Sequence, residues 1–235
     1  AAEAPTFLLS NAVLAAVVGL ILMRYIFVLQ QWQRGVEAQA AARIETLQAR
    51  IRPHFLFNSL NAIASLIRID ADKAEAAVED LATVFRATLR EERNDHTLAD
   101  ELDLVDRYLA IEGLRLGERL QVTRAIEPSL RACRVPALSV QPLVENAIHH
   151  GVQALPEGGV IAISAYRDGD ALCVSVRNPK PRHASARLGG NHIALGNIRE
   201  RLRMRYGNRA ALSVDAAADY HAVTLRVPLQ EGEGR

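Results

Sequence analysis

At Gly117 the chain changes period, and that change limits the available folds more than any other feature. Upstream, Gln30 to Arg68 contains one proline and one glycine, and Val36–Arg43 is built from strong helix formers. Ile44, Leu47, Ile51, Phe55 and Asn58 advance by three or four, which keeps one stripe turned toward a partner. Asp70–Asp72 interrupts the pattern. Ala76, Ala77, Leu81, Val84, Phe85 and Leu89 then make a second amphipathic helix, and Leu98–Leu116 a third, opening at the cap residue Thr97 with Glu101 and Leu102 close behind. Two long helices with a short join predict an antiparallel hairpin, which buries its apolar face best against a copy of itself. Downstream, Leu120–Ile126, Val160–Tyr166, Ala171–Val176, Ala211–Val214 and His221–Val227 read as strands. Helices at Leu138–His150 and Asn197–Tyr206 fall between them, the texture of an α+β sandwich rather than of strict β-α alternation.

The amino-terminal end has a different character. Phe7–Met23 carries no charge, and Ile26–Leu29 extends the run beyond Arg24 and Tyr25. A helix of that length crosses a hydrocarbon core of about 30 Å. Arg24, Arg34 and Arg43 follow the run and only Glu3 precedes it, which predicts that everything after Leu29 is cytoplasmic. Two cysteines, Cys133 and Cys173, are too few for a disulfide framework and suit a reducing compartment. A net charge of +1 gives no basic field for direct nucleic-acid binding. The expected division is a membrane helix at 1–35, a helical hairpin region at 36–117, an α+β domain at 118–229 and a disordered tail at 230–235.

Chemistry concentrates in three runs. In the first, Arg52-Pro53-His54-Phe55-Leu56-Phe57-Asn58-Ser59-Leu60-Asn61, a histidine lies on an apolar helix. Its imidazole, with an ordinary pKa of about 6.5, is largely neutral at cytoplasmic pH and can act as a nucleophile. Asn58, one turn on, shares its face and can orient the ring or meet an incoming phosphate. Pro53 removes a backbone bond to Ala49 and predicts a bend there. Phe55 or Leu56 is expected to support the bundle beside the histidine.

The second run, Gln141-Pro142-Leu143-Val144-Glu145-Asn146-Ala147-Ile148-His149-His150-Gly151, begins with proline in the first turn of a helix. The amide oxygen of Asn146 is a hard ligand suited to Mg²⁺, and Glu145 adjoins it as a base or as a support for the metal. His149 and His150 point about 100° apart on a helix, which disfavours a joint zinc site. The third run, Gly189–Leu202, combines glycines with the start of a helix, an arrangement that lets backbone amides approach phosphate. Pro179–Arg187 before it reads as a lid.

Taken together, these runs resemble the histidine kinases of the LytS/YehU type, which share the gyrase/Hsp90/kinase/MutL (GHKL) ATP-binding fold. The likeness covers roughly Arg43 to Leu229, with Leu98–Arg115 and Leu195–Gly207 as further matching stretches. The subgroup it looks closest to is that of the alginate and fimbrial sensors. The resemblance implies a transmembrane helix, a dimerisation hairpin forming a four-helix bundle in the homodimer, and a two-layer GHKL-type ATP-binding sandwich. It implies autophosphorylation on His54 from ATP and Mg²⁺ at the inner membrane, then transfer to an aspartate of a cytoplasmic response regulator, such as one of the LytTR DNA-binding type. His54, Asn58 and Glu145 would serve catalysis, and Asn146 the magnesium. His150, Asn178, Gly190, Leu195, Gly196, Asn197 and Arg199 would line the nucleotide site. There are departures: Val176-Arg177-Asn178-Pro179 stands where the family has an Asp-Asn-Gly turn, and His192 and Ala194 replace lid glycines. They motivate the rival expectation of a catalytically weak scaffold or phosphatase that controls a regulator.

Overall fold

The structure is a computed structural model, which describes residues 53–89, 95–180, 191–217 and 219–230, together with helical positions at 19–20, 23–25, 27 and 30–31. Most of the expected membrane run, the bend upstream of Pro53, Gly190 and nearly all of the tail lie outside the described residues. Among the described residues, no helix is long and apolar enough to cross a membrane.

Helix α1 spans Pro53–Leu66 and α2 spans Ala71–Leu89. The turn between them closes on Leu66, whose carbonyl accepts from Ile69 and Asp70 at 2.8 Å, and Asp70 then caps α2 by accepting from the Lys73 amide at 3.0 Å. The expected break at Asp70–Asp72 is therefore a cap, and α2 begins at Ala71 rather than near Ala76. Phe55 at the start of α1 stacks near Phe85 at the end of α2, with ring centroids 6.4 Å apart, so the two helices run antiparallel.

A short strand, β1 (Asp95–Thr97), leads into α3 (Leu98–Leu116), which has the predicted bounds. Its cap is a reciprocal box. Asp100 donates its amide to Thr97 Oγ1 at 3.2 Å, and Thr97 donates its own to Asp100 Oδ2 at 2.9 Å. The Thr97 hydroxyl also donates to Asp100 Oδ2 at 2.7 Å, and this bond first, then the Thr97 amide, holds the Asp100 carboxyl below its usual pKa. Glu101, expected to help at this end, instead points into the core. Arg107 joins α3 to α2 through Asp80 at 2.9 Å while also holding Asp103 at 3.0 Å.

Beyond Gly117, whose φ is +57°, five strands form one sheet in the order β2-β4-β5-β7-β6. They are β2 (Leu120–Ile126), β4 (Gly159–Asp168), β5 (Ala171–Pro179), β6 (Ala211–Ala216) and β7 (Tyr220–Pro228); β3 (Arg134–Pro136) pairs only with β1. Strand β2 runs parallel to β4 and the other pairs are antiparallel. One face carries Ile161, Ile163, Ala165, Leu172, Val174, Val176, Val223, Leu225 and Val227, all buried. Helix α4 (Gln141–Ala147) and helix α5 (Asn191–Tyr206) cover that face. On the opposite face Ser164, Ser175, Thr224 and Ser213 stand side by side across four strands, with Thr224 Oγ1 donating to Ser175 Oγ at 2.9 Å. A sheet that is apolar on one side and hydroxylic on the other takes a single helical layer, which makes this an α/β two-layer sandwich.

The buried residues of α1–α3 and of the sandwich form one continuous cluster, from Ile63 and Leu81 to Val227. Strand β2 has the predicted bounds, and β4, β5, β6 and β7 are longer than predicted. Strand β5 runs on to Pro179, so Asn178 lies in the ladder opposite His221 rather than in a turn.

Candidate active site

His54 sits in the first turn of α1 and is exposed. The side-chain nitrogen of Asn58, one turn later, lies 2.9 Å from His54 Nδ1. Because an amide presents oxygen or nitrogen after a half-turn, Asn58 can serve either neutral tautomer of the ring. The next residue fixes the helix. The Phe55 ring packs on Tyr108 of α3, with centroids 5.0 Å apart, and on Phe85 of α2. Its backbone carbonyl accepts from Ser59 Oγ at 2.8 Å. Phe55 and Leu56 are both partly buried against the core, whereas Phe57 is 65% exposed. One face of α1 is thus anchored by aromatic contact while the histidine remains reachable.

The second run is shorter as an α-helix than its sequence suggests. Helix α4 stops at Ala147, and Ile148–Val152 continues as a π-helical turn. Such widened turns cluster at functional positions. Here Gly151 is the reason the turn fits. A Cβ on Gly151 would lie 2.4 Å from Asn178 Nδ2 and 2.9 Å from its Cβ, so only glycine lets the end of β5 seat against this turn. Asn178 is buried and donates Nδ2 to the Pro179 carbonyl at 2.8 Å, leaving Oδ1 as an acceptor. The second run and the strand end predicted to read the base therefore meet, although 26 positions separate Asn178 from Val152.

Asn146 is 2% exposed, and its Oδ1 is buried with no hydrogen-bond partner. A native interior leaves few such atoms, and an oxygen of this kind fits a hard cation. Glu145 is half-buried and accepts a long 3.4 Å contact from Gln141 Nε2. His150 is half-buried in the π turn; His149 is exposed, with Nδ1 3.2 Å from Gln153 Oε1. The two rings lie with centroids 4.7 Å apart. Among the described residues, no three His, Cys, Asp or Glu side chains gather into a metal cage.

The third run needs correction. Leu195–Arg199 lies within α5, which begins at Asn191 rather than at Asn197. Leu195, Ile198, Leu202 and Tyr206 form a buried stripe, and that periodicity draws the helix back through the glycine. Leu195 is therefore a core residue. Gly196 has nothing within 4 Å of a would-be Cβ, so no close backbone approach requires it. Asn197 and Arg199 are exposed on the outer side of the helix. The free amide donors of α5 lie in its first turn, from Asn191, instead. Arg201 donates to the Ala137 carbonyl.

Sequence reasoning also missed Glu101. It is fully buried, and its two oxygens accept from the amides of Leu138 at 2.6 Å, Ser139 at 2.9 Å and Val140 at 2.8 Å. A glutamate in the first turn of a helix reads as dipole compensation, and nothing local shows that it reaches a loop 37 residues away.

A family model for histidine kinases matches residues 42–120, which include His54 and all of α1–α3. The sensor histidine kinase BtsS of Escherichia coli K12 is 37% identical over 202 residues, 86% of this chain and 36% of that protein. The sensor protein LytS of Staphylococcus haemolyticus is 34% identical over 199 residues, 80% of this chain and 34% of that protein. The chain belongs to the LytS-type sensor histidine kinases. It spans about a third of the length of these curated relatives. Alignments of about 200 residues extend past the family-model match into the sandwich, so the kinship covers the sheet as well as the helices. Among solved structures, the histidine kinase AdeS of Acinetobacter baumannii matches 81% of this chain and 97% of its own at 14% identity, with a TM-score of 0.43.

Proposed function

We propose that this chain is the kinase portion of a membrane-tethered sensor of a two-component system, which phosphorylates itself on His54 from ATP and passes the group to a response-regulator aspartate. The observation that carries this reading is the pairing of an exposed imidazole with an asparagine on its Nδ1, on a helix locked by Phe55. In the reacting tautomer, Nδ1–H donates to the Asn58 amide oxygen and the Nε2 lone pair points outward. Nε2 bonds to the γ-phosphorus as the bond to the bridging oxygen breaks, and that electron pair leaves on ADP. Such a reaction asks for positioning and charge stabilisation more than for covalent help from the protein.

The nucleotide is read as lying between α4, the π turn and the end of β5. Asn146 fits Mg²⁺, which when bound offsets charge on the transferring phosphate. Asn178 Oδ1 would accept from the adenine amino group, uncharged where relatives of this type carry an aspartate. His150, Gly190 and the first turn of α5 would complete the lining, and Glu145 would support the metal. The expected division at 117/118 then separates a phosphoacceptor hairpin from an ATP-binding domain.

Dimerisation through the hairpin is supported by Phe57 and Leu60, exposed by 65% and 47% on α1, and by Ile67 just beyond its end, exposed by 60%. Tethering at the inner membrane, with the kinase portion cytoplasmic, is supported by the uncharged run. Its helical residues Leu20, Met23 and Phe27 are exposed by 67%, 73% and 56%. The regulator is proposed to be of the LytTR type.

Incubation with γ-labelled ATP and Mg²⁺ tests the reading. Label should enter the chain, survive alkali and be lost in acid, and His54→Gln should abolish it while MgATP binding by calorimetry persists. Undiminished labelling of that variant removes His54 from the role. No magnesium-dependent heat in the unaltered chain would make it a scaffold instead.

A further inference from the structure

The turn Ala137–Val140 is gripped from two sides by helices that belong to different parts of the molecule. From α3, the Glu101 carboxylate accepts three consecutive amides, those of Leu138, Ser139 and Val140. From α5, Arg201 donates to the carbonyl of Ala137. The turn then runs directly into α4, whose capping residue Val140 has no side-chain cap of its own. Three successive amides converge on one anion only because Leu138 takes a φ of 55°, the sole positive value among the described non-glycine residues. That conformation is strained for a leucine, and it persists because the buried carboxylate needs those donors.

His96 of β1 adds a fourth contact, its Nδ1 lying 3.2 Å from Glu101 Oε1. Four polar contacts on a fully buried carboxylate make a site that tolerates little change of position. The consequence lies in what each helix carries. Helix α3 holds α1 through Tyr108 and Phe55, next to His54. Helix α4 bears Asn146, and α5 opens directly after the run read as the lid.

We propose that Glu101 is a positioning residue that couples the phosphoacceptor helices to the nucleotide helices through the Ala137–Val140 turn. The proposal rests on the kinase reading above and assigns a role that the site residues do not fill. Glu101 touches neither the phosphate nor the His54 ring; its charge sets where α3 stands relative to α4 and α5. Glu101→Gln would keep the shape but replace one of the two accepting oxygens by an NH₂ that faces backbone N–H groups, so part of the turn's amide set would lose its acceptor.

The test compares the unaltered full chain with Glu101→Gln, Glu101→Asp and Arg201→Met, measuring MgATP affinity by calorimetry and the rate of label incorporation at saturating MgATP. Coupling predicts that Glu101→Gln lowers the saturated rate at least tenfold while the Kd for MgATP stays within about threefold, with Glu101→Asp intermediate. A folded Glu101→Gln protein labelling at the unaltered rate overturns the proposal. So does a loss of rate matched by an equal loss of affinity, which would make Glu101 an ordinary part of the binding site. Should Glu101→Gln fail to fold, Arg201→Met, altered on a partly exposed side chain, carries the same prediction for rate and affinity.

Hydrogen exchange without nucleotide gives a readout independent of kinase activity. Arg201→Met should speed exchange in the first two turns of α3, and unchanged exchange there overturns the coupling. An unaltered chain that neither binds MgATP nor takes label would sink the kinase reading alone, and the exchange result would still decide the junction.

Discussion

The helix proposed to carry the phosphoacceptor and the helix proposed to hold the nucleotide reach their geometry by opposite routes. In α1, the groups that matter lie within five residues of one another: Phe55 anchors the helix and Asn58 meets the ring of His54, all placed by one turn of helix. In α4 the same number of residues accomplishes little alone. Asn146 depends on a start held by Glu101 from α3, and the following turn depends on a strand end, Asn178, packed where Gly151 lacks a side chain. The first region is a local device resting on a bundle. The second is an assembled one, and its weak points lie far from its reactive groups.

That contrast can be broken by substitution. Phe55→Ala should have the largest effect on stability, about 3 kcal/mol or somewhat less for a partly buried ring, seen as a lower melting temperature. It should also slow labelling of His54 yet leave MgATP affinity nearly unchanged. Equal loss of affinity would show that the two regions are not separable in this way.

Gly151→Ala should cost about 1–3 kcal/mol through the forced displacement of Asn178, and here MgATP affinity should fall while the bundle remains intact. Calorimetric titration of that variant at unaltered strength would remove Gly151 from the site. Thr97→Ala breaks the capping box of α3 and should cost about 1 kcal/mol by chemical denaturation, without changing affinity.

The smallest effect concerns pH. His221, the ladder partner of Asn178, has its pKa lowered, first by burial and then by the nearby Lys180. A histidine that resists protonation when folded binds fewer protons than the unfolded chain does, so stability rises with pH across the window between its two pKa values. The contribution is complete above the unfolded value of about 6.5 and is lost as pH falls below it toward the folded value. Denaturation midpoints between pH 5 and 7.5 should slope less in His221→Gln; an identical slope would assign the dependence to other groups.

Much of this molecule follows from residue order because its determinants are short-ranged. The bounds of α3 at Leu98–Leu116 and of β2 at Leu120–Ile126 are legible from a cap and from alternation, and the helix face shared by His54 and Asn58 is a matter of spacing. The start of α5 at Asn191 rather than Asn197 is not legible, because glycine and asparagine suggest a loop. The buried stripe from Leu195 to Tyr206 outweighs that preference once a sheet lies beneath it. The contact of Arg201 is hidden for a similar reason, since its acceptor belongs to a loop 64 residues earlier.

The sequence alone therefore determined most of the helices and the five strands of the main sheet, the shared helix face of His54 and Asn58, and which family the chain resembles, since periodicity and motif spacing act over a few residues. Tertiary structure alone decided that Glu101 is buried in a nest of amides, that Leu138 is held at positive φ, and that Gly151 makes room for Asn178. Each of those outcomes depends on atoms brought together from distant stretches. A buried charge or a missing Cβ has meaning only in terms of what packs against it.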